Sequence, residues 1–160
     1  MLLHVKGSNK AVRKMVEYAT WFYTEKLMGK RLMRSLEITI KLDHTLAKNR
    51  DMEGSCIWED ETRRPKEFTI EIDSTMNIRN ILTTLAHELV HVKQWAKDEM
   101  YEYTNSPKMV RFKGEKMHID DMDYWDYPWE IEAYGRQLGL FVRFCEEMGI
   151  TEREDMMEEA

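Results

Sequence analysis

A single α+β domain is predicted by three features of this 160-residue sequence. Three long runs carry apolar residues at helical spacing, about Lys10–Met28, Asn77–Glu99 and Trp129–Met148. Two shorter runs, Ser35–Asp43 and Glu67–Asp73, alternate apolar and polar residues with a period of two. The polar connections before the central run look too brief for helical crossovers, which favours a small mixed or antiparallel sheet of three to five strands.

Ser8 or Asn9 can cap the first helix, and Gly29 ends it. Its broad apolar face is Val12, Met15, Val16, Ala19, Phe22, Tyr23 and Leu27, a core-packing pattern. In the strand from Ser35, Leu36, Ile38, Ile40 and Leu42 share one side. Asn49–Gly54 reads as a loop leading to a short strand near Ser55–Glu59, and Asp60–Lys66 with Pro65 as a turn. Phe68, Ile70 and Ile72 face one way in the next strand. Asp73, Ser74 and Thr75 offer caps for the central helix. Val110–Ile119 resembles a hairpin turning at Lys113-Gly114-Glu115, and Pro128 suits the first turn of the final helix. Gly149 stops that helix. Residues 1–150 thus form the domain, and 151–160 an acidic tail with little to pack.

Charged residues make up 34% of the chain and hydrophobic ones 42%, the balance of a globular protein. A net charge of −6 argues against non-specific binding of nucleic acid or an acidic membrane surface as the main activity. No apolar run reaches the roughly 18 residues of a membrane span, and the first ten residues lack the apolar stretch of a signal peptide. Cys56 and Cys145 could in principle pair, but without a secretory signal reduced thiols in a cytoplasm are expected, and neither sits in a C-x-x-C that would point to a thiolate zinc site.

The central helix carries His87-Glu88-Leu89-Val90-His91. Histidines four residues apart stand one turn above each other, so both rings can reach one ion. Glu88 can then face a water in the ion's open coordination position. Ile78, Ile81, Leu82, Leu85, Leu89, Val92 and Ala96 form a stripe nearly opposite the two histidines.

A catalytic zinc bound by two histidines needs a third protein ligand. Glu130 and Glu132 open the final helix. With Tyr134 as the zero of a helical wheel, Ile131, Leu138, Phe141, Val142, Cys145 and Met148 fall within about 80°, and Glu130 at about −40°. A carboxylate on this core side is costly unless it is paired or binds a metal, which favours Glu130 as the ligand. Glu132 falls on the far face, four residues before Arg136, as a surface ion pair. Two imidazoles and a carboxylate suit one Zn2+ per chain, and also iron, cobalt or manganese. Tyr124, Tyr127 and Tyr134 lie near Glu130 in sequence and are candidate phenols for an oxyanion, Tyr127 and Tyr134 foremost, or else packing residues of a cleft or core. Trp58, Trp95, Trp125 and Trp129 read as packing or cleft-wall residues.

The pair of motifs, His87-Glu88-x-x-His91 and the later Glu130-x-x-Ala133, resembles the gluzincin branch of the zincin metallopeptidases. The order of helix, small sheet, motif helix, hairpin and glutamate helix is similar to small bacterial and phage members, the SprT-like and ImmA/IrrE-like proteins. The resemblance implies a zincin-like domain in which His87, His91 and Glu130 hold zinc and Glu88 activates water against a peptide or protein substrate. The chain departs from it twice. The third histidine of SprT-like proteins is absent after the motif, leaving only the distant His118, and Tyr134 stands where many gluzincins place an acidic or amide residue. A regulatory metal protein of the same fold, or a zinc hydrolase of another amide, fits the same motifs.

Overall fold

Leu2–Lys6 opens the chain as strand β1, followed by helix α1 (Lys10–Arg34) and strand β2 (Glu37–Asp43) in a computed structural model that describes residues 1–50 and 52–158. Asp51 of the expected Asn49–Gly54 loop, and Glu159 and Ala160 of the tail, lie outside the described residues. Asn9 caps α1 by accepting from the Val12 N–H at 3.0 Å. At Gly29 (φ 76°, ψ 164°) the helix breaks, in a conformation open to glycine, and then resumes to Arg34.

β1 and β2 pair in parallel with α1 as the crossover between them, so the expectation of connections too short for helical crossovers is corrected here. β1 lies at the sheet edge and none of its residues is fully buried, which is why its apolar signal is weak. After a short helix α2 (Leu46–Arg50) come β3 (Gly54–Trp58) and β4 (Glu67–Asp73). The sheet order is β1-β2-β4-β3, with β2 and β4 parallel and β3 antiparallel to β4 at the other edge. The expected apolar face is real: Ile38, Ile40, Leu42, Phe68, Ile70 and Ile72 are buried.

Helix α3 (Ile78–Ala96) lies across this layer and packs against α1, β3, β4 and the last helix, α4 (Pro128–Met148). Between them, β5 (Met100–Glu102), β6 (Met109–Phe112) and β7 (Glu115–His118) form a second, antiparallel sheet. Its two-residue turn puts Lys113 (φ 47°) and Gly114 (φ 88°) both at positive φ, the geometry that matches strand twist in tight hairpins. The whole is an α+β fold, as the pattern predicts.

Two packing expectations are corrected. α4 turns Trp129, Ala133, Leu140, Phe141, Phe144 and Cys145 inward, leaving Ile131 (56% exposed), Leu138 (51%), Val142 (41%) and Met148 (39%) outside. The tail does pack: Met156 is buried, and the Arg79 guanidinium, set over the Phe141 ring, donates to its carbonyl at 2.8 Å. Among the described residues no helix is long and apolar enough to cross a membrane. Cys56 and Cys145 are free thiols.

Candidate metal centre

α3 carries the motif at the middle of its length. It is capped by Asn77, which accepts from the Asn80 N–H at 2.8 Å, and not by Asp73, Ser74 or Thr75. Asp73 instead closes a turn of its own onto the Thr75 N–H (2.9 Å) and hydroxyl (2.7 Å). The expected apolar stripe from Ile81 to Ala96 is buried beneath the helix, and the first turn of α4 covers the opposite side, so His87 and Glu88 are buried as well.

The two histidine Nε2 atoms stand 3.2 Å apart. Glu130, from the first turn of α4, brings Oε2 to 3.2 Å from His87 Nε2 and Oε1 to 3.4 Å from His91 Nε2. Ligand atoms about 2.0–2.2 Å from a tetrahedral zinc lie roughly 3.3–3.6 Å from one another, so the spacing fits. Among the described residues this is the one histidine, cysteine and carboxylate group close enough to hold an ion.

The surrounding hydrogen bonds sharpen the fit. Gln94, fully buried, donates from Nε2 to the Trp129 carbonyl at 3.0 Å, and its Oε1 lies 2.8 Å from His91 Nδ1. A carbonyl only accepts, so the amide is oriented with its oxygen toward His91, and His91 Nδ1 carries the proton. His91 Nε2 is then a bare lone pair. His87 Nδ1 lies 2.9 Å from Gln137 Oε1, and with that oxygen as acceptor His87 also carries its proton on Nδ1. Lone pairs facing each other beside a carboxylate call for a cation between them, a proton or a metal.

Charge follows from these contacts. Burial opposes ionisation of Glu130, but when a proton is the cation held at the Nε2 atoms, the hydrogen bonds and charge of His87 and His91 win and hold its carboxyl well below the usual range. Burial disfavours a charged His91, yet Glu130 and Glu88 together raise it. Burial pushes the Glu88 carboxyl up, against the smaller pull of His91 and His87, and the negative charge of Glu130 adds to the rise.

The structure places the other candidates unequally. Tyr134 packs its ring edge-on to His87, 4.6 Å between centroids. Tyr127 is corrected: its hydroxyl donates to the Ile119 carbonyl at 3.1 Å, and its ring stacks on Trp129, so it belongs to the frame of the site. Tyr124 donates to Glu130 Oε2 at 3.1 Å and lines the cleft. Burial, the neighbouring Tyr134 and the charge of Glu130 keep its phenol protonated. Glu132 does not pair with Arg136; it binds Lys93 of α3 and Lys113 of the hairpin, the latter at 2.7 Å. His118 caps a short turn at Asp120 and stands outside the group. Gln94 and Gln137 are the side chains around the group that sequence reasoning did not single out.

A cleft passes over the group in two lobes of about 360 and 310 Å³, which share Gly54, His87, Glu88 and Tyr124. Its far wall is β3, whose outer edge has no strand partner among the described residues. Gly54 lets β3 come this close: a Cβ there would stand 2.6 Å from Thr84 Cγ2 and 3.0 Å from Glu88 Oε1. No protein-family model, curated protein or solved structure matches the chain.

Proposed function

We propose that the protein is a zinc-dependent metallopeptidase of the zincin type, hydrolysing peptide bonds in a peptide or protein substrate. The observation that carries this reading is the convergence of two lone-pair Nε2 atoms and one carboxylate beside a buried glutamate, all opening on a cleft walled by an edge strand. Zinc, when bound by His87, His91 and Glu130, supplies Lewis acidity toward a water and a peptide carbonyl.

The chain's own residues supply the rest. Gln94 and Gln137 hold the imidazole tautomers that expose both Nε2 lone pairs. Glu88, whose carboxyl burial pushes up, is the group that accepts a proton from the attacking water and delivers it to the leaving amine. Tyr124, protonated and beside Glu130, is the phenol suited to donate to the developing oxyanion. The free edge of β3 holds an extended peptide by backbone hydrogen bonds, which makes binding tolerant of sequence. The two free thiols agree with a cytoplasmic location.

Zinc content measured beside proteolysis tests the reading. Wild type is expected to bind one zinc per chain and to cleave an unfolded protein substrate. Glu88→Gln should keep the zinc and lose cleavage by at least about a hundredfold. Glu130→Ala should lose zinc, whereas Glu132→Ala should keep it. Equal cleavage by wild type and Glu88→Gln would reject a peptidase; undiminished zinc in Glu130→Ala would reject the ligand set.

A further inference from the structure

We propose that the lobe of the cleft beyond His91 is a specificity pocket for a cationic side chain, an arginine or lysine of the substrate, with Glu102 as its counter-charge. The proposal deepens the peptidase reading and rests on the same cleft.

Four aromatic side chains stand among the polar residues that line the lobe. Trp58, at the end of β3, stacks on the buried Trp95 with centroids 4.0 Å apart and planes at 26°, and Met100, Trp129 and Tyr124 complete the lining. Indole faces attract guanidinium and ammonium groups through the ring quadrupole. Neutral aromatic walls alone would accept an apolar side chain equally well, so the charge decides.

Glu102 lines this lobe from β5, and its carboxylate has no ion pair or hydrogen bond among the described residues. Its neighbours are satisfied. Asp98 holds Arg63 and Arg111 at 3.1 and 2.8 Å, Glu132 holds Lys93 and Lys113, and Asp120 holds Lys108 at 2.7 Å. Glu102 is solvent-exposed at the end of β5, so its carboxylate stands open to a ligand cation with no protein cation to displace. The cleft supplies no lysine or arginine that competes for it, since neither lobe has a basic side chain in its lining apart from the histidines. The net charge of −6 draws cationic segments toward the molecule from a distance.

Blocked peptides that differ at one central position test the pocket: arginine, its neutral isostere citrulline, methionine and glutamate. Their binding to zinc-loaded Glu88→Gln protein is read by tryptophan fluorescence, which needs no cleavage. The arginine peptide is expected to bind roughly tenfold tighter than the citrulline peptide. Adding Glu102→Gln should bring that ratio close to one, and Glu102→Lys should turn the preference toward glutamate, both with zinc content as wild type. Equal binding of arginine and citrulline peptides, tighter binding of methionine, or an arginine preference that survives Glu102→Gln would overturn the proposal. If wild type cleaves none of the peptides while the Glu102-dependent preference persists, the peptidase reading falls and the cation pocket stands.

Discussion

Gln94 has two ends with different tasks, and both bear on the metal group. Its oxygen fixes the His91 tautomer, while its amide nitrogen holds the carbonyl of Trp129, the residue immediately before Glu130. One buried side chain therefore sets His91 on α3 and the backbone that aims Glu130 on α4. Gln94→Leu removes both bonds and is expected to weaken zinc binding about 10–100-fold, measured by competition with a chelator. An unchanged affinity in a folded variant would mean that packing alone aligns the two helices. His87, Glu88 and His91 are legible in sequence because helix geometry makes four-residue spacing a spatial statement. Glu130 is legible from the cost of turning a carboxylate inward. Gln94 and Gln137 are not, since an amide carries no charge penalty and fits a surface as well as an interior. Tyr124 is preferred over Tyr127 by the direction of a hydroxyl after a 3-10 turn (Tyr124–Asp126), a detail that no periodicity encodes.

At the level of elements, the wheel drawn for α4 is off by part of a turn. Apolar residues cover much of the helix circumference, so spacing alone leaves its roll undecided. Bulk decides: Trp129, Phe141 and Phe144 bury more apolar area than Ile131, Leu138 and Val142, and the helix rolls to hide the aromatics. That roll turns Glu132 toward α3, where Lys93, itself buried, takes its carboxylate in place of Arg136, so an ion pair expected at the surface becomes a tie between α3 and α4. Strands β2 and β4 are legible because their alternation is strong, whereas β1, an edge strand of five residues, is not. The tail was hidden by its composition: acidic residues surround the one methionine that packs. Met156→Ala should cost about 2–5 kcal/mol in chemical denaturation, the range for emptying a buried methionine site, while Met157→Ala, at an exposed position, should cost little. Equal small losses would return the tail to a solvated role.

For the molecule as a whole, the cleft and the core make opposite demands. The core formed by α1, the main sheet and the inner face of α3 is apolar, and nothing in it depends on an ion. The centre between α3 and α4 gathers Glu88, Glu130 and two imidazoles in a buried space. Metal-free protein should therefore remain folded, with zinc raising its melting temperature by mass action on the native state. Glu88 gives the sharper test because the sign of its contribution is fixed. Its folded-state carboxyl titrates above the unfolded value, so the stability it contributes is fully present below about pH 4.5 and is lost as pH rises through the folded-state value. Glu130 runs the other way: its carboxyl titrates low in the folded state, so its contribution is present above about pH 4.5 and fades on acidification. Glu88→Gln removes only the first of these. In metal-free protein it should raise the melting temperature at pH 8 more than at pH 4.5, because at low pH the native Glu88 is already neutral. A substitution that stabilises equally at both pH values would show that Glu88 is ionised in the fold at no cost, and a proton-accepting role built on its burial would lose its physical basis.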